Sequence, residues 1–213
     1  MKRFIIFFTA LLLSTTIANP AVLGNSDDFK TSCQPCPVKK AASCQNDADL
    51  KFANEVISKL HKETEDQIEN GFGPFLAAIY DKNGKLIAKM PNTVIKDQCS
   101  LNHAEVNTIK EAQRVLNTYD LSPYDLSIYV NAEPCIMCSG AIMWSGIKHV
   151  YYSVSSKDVE AITGFDEGYK PDWIGQFQKR NISVVGGLQT EEGKKVLQKY
   201  VDTGKHIYKP NRT

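Results

Sequence analysis

The sequence carries no excess of charge of either sign. Its 213 residues include 25 Lys and Arg against 24 Asp and Glu, which gives a formal net charge of +1 at pH 7. Proteins that bind DNA or RNA through their overall field concentrate positive charge, because phosphate contacts supply much of that affinity. This near-neutral balance therefore gives no reason to expect a nucleic-acid partner.

The chain also lacks internal repeats and low-complexity segments. Hydrophobic residues make up 42% of it and charged residues 23%, which is ordinary for a globular protein. A chain of this length suits one sizeable domain whose hydrophobic core is large enough to be stable without disulfides or structural metals. The composition therefore predicts a single globular domain.

A strongly apolar run occurs only at the beginning of the chain. The stretch "MKRFIIFFTALLLSTTIANPA" has basic Lys2 and Arg3, an apolar run over residues 4–13, and small residues around Ala18. This order is typical of a secretory signal peptide, and the apolar run is too short to span a bilayer. We expect residues 1–18 to be a signal peptide of a secreted or periplasmic protein without a stable membrane anchor; an N-terminal anchor is the alternative.

Four of the six cysteines form an even set in a context that suits disulfides. Cys33, Cys36 and Cys44 lie in a polar arm over residues 19–48, and Cys99 follows later. An oxidising compartment permits two disulfides among them, which can pair in three ways. A thioredoxin-like redox role for "CQPC" is disfavoured because no strand precedes it. The rest of the chain, residues 49–213, is the predicted functional domain.

Apolar patterns beyond the arm alternate between helix and strand. Spacings of three and four predict helices over residues 47–70 and in "HAEVNTIKEAQRVLN", "PCIMCSGAIMWSG" and "EEGKKVLQKYVDTG". The third helix has Pro134 suited to its first turn and Gly146 just past its end. "PFLAAIY" and "KLIAKM" flank "DKNG" as a hairpin, and "LSIYVNA", "HVYYSV" and "ISVVGGL" are further strands. This order predicts an α/β domain with helices on both faces of the sheet.

Two of these helices begin with side chains that suit a metal ion. Cys135 and Cys138 are three apart, so both thiolates can reach one ion, and the start of a helix lowers thiol pKa values. With His103 they give three ligands for zinc and leave the fourth tetrahedral position for water, which is typical of a catalytic site. We therefore predict one Zn²⁺ per chain, bound by these three residues.

Glu105 follows His103 by two residues and is not needed as a ligand. It is placed to take a proton from water and hand it to a leaving group. Taken alone, His103 reads as an ordinary histidine, Glu105 as an acid in a first helical turn, and the cysteines as a redox dithiol. In combination, His-x-Glu followed by Pro-Cys-x-x-Cys is the signature of zinc-dependent base deaminases. The sequence therefore predicts a deaminase with Glu105 as its catalytic acid and base.

From residue 50 to residue 167 the chain resembles the cytidine deaminase-like superfamily, and within it the bacterial guanine deaminases and related purine-nucleoside deaminases. The matching pieces are "GPFLAAIY", "PNTV", "NHAEVNTIKEA", "AEPCIMCSGAIMWSGI" and "GFDEGY". The resemblance implies a three-layer α/β/α domain with a mixed five-stranded central sheet. It also implies His103, Cys135 and Cys138 as zinc ligands and Glu105 as the proton shuttle.

The resemblance extends to residues expected to hold a purine. It implies that Asn92 hydrogen-bonds the base, that Phe75 stacks on it and that Trp144 shapes the pocket. An amide can pair with a base edge and an aromatic face can stack, although a turn role for Asn92 and core packing for Phe75 stay open. Asp166 and Glu167 stand where guanine deaminases carry two aspartates, so we expect that stretch to affect how the substrate is held.

The leading functional prediction is hydrolytic deamination of a free purine, guanine to xanthine plus ammonia. The alternatives are a guanosine deaminase, a cytosine or cytidine deaminase, a tRNA adenosine deaminase, and, as a non-enzyme, an exported structural zinc or disulfide module. The near-neutral charge and the export pattern disfavour tRNA, and the open ligand set beside Glu105 disfavours a structural module. A homodimer is an expectation of the family, in which an aromatic near the C-terminus, here Tyr208, closes a partner's site.

Overall fold

The computed structural model describes residues 47–209. The predicted signal peptide and nearly all of the predicted arm lie outside these residues. Three cysteines of the predicted disulfides lie outside them as well: Cys33, Cys36 and Cys44. The predicted boundary at residue 49 falls inside the first helix, which already begins at Asp47.

Within the described residues, helices and strands alternate along the chain. The order is α1 (Asp47–Glu69), β1 (Leu76–Tyr80), β2 (Leu86–Pro91), α2 (Val94–Asp97), α3 (Ala104–Leu116), a 3-10 helix (Ser122–Tyr124), β3 (Ser127–Ala132), α4 (Ile136–Ser145), β4 (His149–Val154), α5 (Ser156–Thr163), α6 (Trp173–Gln178), β5 (Ser183–Val185) and α7 (Thr190–Asp202). Between residues 47 and 209, no helix combines the length and apolarity needed to cross a membrane.

The strands form one mixed sheet in the order β2-β1-β3-β4-β5. β1 runs antiparallel to both of its neighbours, whereas β3, β4 and β5 run parallel to one another. Parallel neighbours need a crossover connection, and α4 supplies it between β3 and β4. The predicted mixed five-stranded sheet is confirmed, and α4 begins at the carboxyl end of β3.

Helices cover the sheet from two sides. On β1, Leu76 and Ala78 pack with residues of α1, whereas Ala77 and Ile79 join the cluster that includes α3 and α4. This division follows from the period of two in a strand, which sends successive side chains to opposite faces. α1 also contacts α7, and α3 contacts α4. The predicted α/β/α layering is therefore confirmed.

The turn between β1 and β2 has the predicted hairpin chemistry. The Asp81 carboxylate accepts the amides of Asn83 and Lys85, each at 2.9 Å, and Gly84 has φ +77°. A residue without a Cβ adopts this left-handed backbone at little cost. The hairpin directs the end of β2 towards Asn92.

The start of α4 differs from the prediction by two residues. The N-cap is Cys135, the residue directly after Pro134, because its backbone is extended (φ −63°, ψ 171°) and its sulfur accepts the Cys138 amide at 3.4 Å. Pro134 therefore precedes the cap and does not stand in the first turn. The other end agrees with the prediction, since Gly146 terminates the helix with φ +89°.

Candidate metal centre and substrate pocket

Three side chains from two separate motifs converge on one point. The His103 Nδ1 atom lies 3.5 Å from Cys135 Sγ and 3.6 Å from Cys138 Sγ, and the three donor atoms all lie within 4.8 Å of one another. Tetrahedral zinc with its usual bond lengths holds sulfur and nitrogen ligands about 3.6 Å apart. The donor set and its spacing therefore fit a zinc ion bound through Nδ1.

Two adjacent helix starts create this convergence. His103 is the N-cap of α3, Cys135 is the N-cap of α4, and the two helices pack against each other. The positive ends of both helix dipoles thus point at the thiols and favour their ionised form. Cys138, in the first turn of α4, completes the set.

The two thiols titrate as a coupled pair. The pKa of Cys135 is lowered to about 4, mainly by the hydrogen bond from Cys138 and then by His103. The pKa of Cys138 is raised well above its usual value by the same hydrogen bond and by burial. The pair alone therefore holds one negative charge, so binding of a divalent cation is coupled to loss of the second proton.

Glu105 lines the same cavity, is in the first turn of α3 and is 5% exposed. Burial raises the pKa of its carboxyl to about 7, and the nearby charge of Cys135 adds to this effect. A carboxyl that titrates near neutral pH can both accept and return a proton. The arrangement thus combines a metal-binding group with an acid–base group.

His103 and Cys135 of this donor group line a cavity of about 910 Å³, which is ample for a heterocyclic base. Phe75 lies in its wall and packs edge-on against Phe165, with ring centroids 5.3 Å apart. Phe165 in turn packs against Tyr208 at 4.7 Å. Sequence reasoning missed Phe165, although it stands beside Asp166 and Glu167 in "GFDEGY". An aromatic wall therefore faces the metal group.

The two acidic residues after Phe165 differ in environment. Asp166 is exposed and its carboxylate accepts the Gly168 amide at 3.0 Å. Glu167 is buried, and burial followed by the charges of Cys135 and Glu105 raises the pKa of its carboxyl to about 8. Both line the cavity, but only Glu167 is buried beside the metal group.

Asn92 is buried behind Tyr208 and is not among the residues that line the cavity. Its Nδ2 donates to the Tyr208 hydroxyl at 2.6 Å, and its Oδ1 accepts the Val94 amide at 3.2 Å. Gly73 permits this position, because a Cβ there would lie 3.0 Å from Asn92 Oδ1. The Tyr208 hydroxyl therefore occupies one donor of the Asn92 amide in this structure.

Trp144, which the resemblance implies shapes the pocket, lies apart from this cavity in the structure. The residue is 85% exposed on α4 and does not line the cavity. α4 buries Cys138, Ile142 and Ser145, so the helical period turns Trp144 to the opposite side. Cys99, in contrast, does line the cavity and is a free thiol among the described residues, while its predicted partners lie outside them.

Residues 50–154 match the family described as the cytidine and deoxycytidylate deaminase zinc-binding region. The chain is 41% identical over 97 residues to the guanine deaminase of Bacillus subtilis, and the alignment covers 46% of this chain and 60% of that protein. It is 40% identical over 90 residues to a tRNA-specific adenosine deaminase of Rickettsia bellii, and this alignment covers 42% of this chain and 61% of that protein. The alignments thus span about three-fifths of these curated relatives.

A solved structure of a guanine deaminase from Nitrosomonas europaea superposes with a TM-score of 0.67 and 36% identity. The superposition covers 69% of this chain and 83% of that one. The likeness therefore extends beyond the metal-binding segment to most of the domain.

Proposed function

The chain belongs to the cytidine and deoxycytidylate deaminase zinc-binding family, and from this premise we propose that it hydrolyses the amino group from a free purine base, guanine in the first place. The observation that carries the proposal is the buried Glu105 carboxyl in one cavity with His103 and Cys135, which form one donor group with the fully buried Cys138. The similarity to two guanine deaminases supports a purine as the substrate.

We propose that one Zn²⁺ per chain is held by His103 Nδ1 and the two cysteine sulfurs. When bound, zinc acts as a Lewis acid that lets water supply hydroxide near neutral pH. Four ligand positions and three protein donors leave one position for that water. The two neighbouring helix starts hold the thiolates in place.

Glu105 carries the protons in the proposed reaction. Its carboxylate accepts one proton from the attacking water and donates it to the ring nitrogen beside the amino-bearing carbon, while the water oxygen bonds to that carbon. The carboxylate then takes the remaining proton of the added hydroxyl and passes it to the amine, and the carbon–nitrogen bond breaks as the carbonyl forms. Guanine and water thus give xanthine and ammonia. Burial of Glu105 keeps bulk water from intercepting these transfers.

The aromatic wall is proposed to orient the base. Phe75 and Phe165 present apolar rings for stacking, and Asn92 pairs with the base edge once Tyr208 moves aside. Glu167 is buried in the same cavity and is placed to contact the amino group or a ring nitrogen. A site that pairs a polar edge rejects analogues that leave its groups unpaired.

A tRNA adenosine deaminase is the second candidate, because a curated relative of that name is 40% identical. Such an enzyme needs a basic surface for the phosphate backbone, whereas this chain has a net charge of only +1. The charge balance therefore favours a small base over an RNA.

We also propose a homodimer and a secreted or periplasmic location. The first is supported by exposed apolar side chains near the start and end of α4, Ile136 and Trp144, beside exposed Tyr169. The second is supported by the signal-peptide pattern over residues 1–18 and the even set of four cysteines. Mass spectrometry of unreduced protein from an oxidising compartment tests the two disulfides, and four free thiols outside the zinc pair would refute them.

The test of the function is ammonia release measured side by side from guanine, guanosine, adenine, adenosine, cytosine and cytidine. We expect guanine to be preferred by a wide margin, up to about 10⁴-fold in kcat/KM, because the edge of the base is paired. A preference for a pyrimidine would overturn the purine assignment, and ammonia release only from tRNA would favour the second candidate.

A further inference from the structure

Lys170 is a buried cation just outside the cavity that the proposed mechanism does not use. Its side chain is 6% exposed, and its ammonium donates to the Glu133 carboxylate at 2.7 Å, the Pro134 carbonyl at 2.7 Å and the Ser156 hydroxyl at 2.6 Å. Lysine is almost never buried without a partner, because desolvation of an ammonium is costly. Here all three donors are satisfied, which indicates a built site and not an accidental contact.

Two of these acceptors immediately precede the metal-binding cysteine. Glu133 and Pro134 form the loop that leads from β3 into Cys135, and the second Glu133 oxygen accepts the Ser156 amide at 3.0 Å. Glu133 also lines the cavity. The ammonium therefore neutralises a carboxylate beside the pocket and fixes the carbonyl adjacent to Cys135.

The segment that carries Lys170 also holds the other side of this cysteine. The Glu167 carbonyl accepts the Ile136 amide at 3.2 Å. Gly168, with φ +75°, allows the close approach, because a Cβ there would lie 2.8 Å from Ile136 Cγ2. Residues 167–170 thus contact the chain on both sides of Cys135.

We propose that Lys170 is a positioning residue that keeps the Cys135 thiolate and the pocket wall bearing Glu167 in fixed positions relative to each other. Without the ammonium, the loop before Cys135 loses its tie to that wall, and the carboxylate of Glu133 is left buried without its charge partner. Groups that orient metal ligands in this way usually change metal affinity by about 10- to 100-fold when they are removed. The part of the inference that concerns substrate rests on the proposed function, whereas the part that concerns metal does not.

The test uses the full chain as Lys170→Met, as Lys170→Met combined with Glu133→Gln, and as Lys199→Met. The double variant removes the unpaired carboxylate, so it separates positioning from the cost of a buried charge. Lys199 is the matched control, because it bridges Glu65 and Glu69 across α1 and α7 far along the chain from the cysteines. Each protein is assayed for zinc transfer to a chromophoric chelator, for the visible spectrum of its Co²⁺ form, and for its melting temperature.

We expect the double variant to melt near the parent when both are metal-free, but to bind zinc about 10- to 100-fold more weakly and to show an altered Co²⁺ spectrum. The Lys199→Met protein should match the parent in both metal measurements. Parent-like zinc affinity and Co²⁺ spectrum in the double variant would overturn the inference. These metal readouts need no substrate, so failure of the parent to deaminate any purine would sink the proposed function without deciding this point.

Discussion

Among individual side chains, Glu105 carries the sharpest expectation. Glu105→Gln keeps the shape and hydrogen-bonding length of the side chain, but an amide cannot accept and return a proton. We expect kcat for ammonia release to fall by about 10²- to 10⁴-fold while zinc content and melting temperature stay unchanged. Glu111→Gln is the control, because that residue lies on the same helix and pairs with exposed Arg114. If Glu105→Gln turned over like the parent, Glu105 would have no role in proton transfer and would be only an acidic residue at a helix start.

The contact between Asn92 and Tyr208 yields a second expectation, which predicts the direction in which KM changes. The tyrosine hydroxyl occupies the amide that is proposed to read the base. Tyr208→Phe frees the amide, so KM should fall, and by about fivefold if the lost hydrogen bond is worth ~1 kcal/mol. Asn92→Ala removes the recognition itself and should cost about 1–3 kcal/mol in kcat/KM. A higher KM for Tyr208→Phe would show that the hydroxyl serves the substrate instead of competing with it.

His61 makes stability depend on pH at a site remote from the cysteines. It is buried on α1 with Nε2 3.0 Å from the Ser153 hydroxyl, and burial lowers its pKa from 6.5 to about 4, although Glu192, the Gln189 carbonyl and Glu65 act in the opposite direction. The unfolded chain therefore binds the proton first as the pH falls, and stability is lost between pH 6.5 and pH 4.

Urea unfolding at pH 7 and pH 4.5 measures this effect. The parent should lose about 2–3 kcal/mol more than His61→Gln between the two pH values, since each pKa unit corresponds to about 1.4 kcal/mol. The comparison cancels the loss of metal at low pH, which both proteins share. Equal losses in the two proteins would mean that His61 does not titrate in this range.

Among the helices and strands, the C-terminal end of α4 depends on a glycine, Gly146. It terminates α4 with φ +89°, and a Cβ would lie 2.6 Å from the Ser122 amide nitrogen. Gly146→Ala should therefore destabilise the protein by about 1–3 kcal/mol in urea unfolding. Gly140→Ala is the control within the same helix, where a Cβ meets nothing within 4 Å and stability should rise by about 0.5–1 kcal/mol. An equal effect of both substitutions would contradict this account of the helix end.

The long elements were predictable because their apolar patterns are regular. α1, α3 and α7 follow the helical period, and the five strands follow short apolar runs. The short helices α2, α5 and α6 were not predicted, because a few residues cannot show a helical period. For α5 a local signal existed, because the Ser155 hydroxyl accepts the Asp158 amide at 3.2 Å as an N-cap.

The metal-binding group was predictable for a related reason. His103, Glu105, Cys135 and Cys138 lie in two short motifs at helix starts, so local spacing alone reveals their chemistry. Phe165 and Lys170 contact residues far away in sequence, and no local spacing predicts such contacts. Trp144 is the opposite case, because its motif matches while the helical period turns it away from this cavity.

For the chain as a whole, the sheet topology decides where the chemistry lies. The carboxyl end of β3 leads straight into α4, and α3 packs beside it, so one metal ion would tie two helices together. A metal that binds only the folded state adds its binding free energy to stability. The same ion is therefore expected to serve both the reaction and the fold.

Removal and return of the metal tests the central claim most directly. The measurement is ammonia release from guanine by the full chain as purified, after exhaustive treatment with a chelator, and after titration with Zn²⁺, with bound zinc counted at each step. We predict that activity disappears with the metal and returns in proportion to bound zinc, up to about one ion per chain. Full activity in a metal-free preparation would contradict the account.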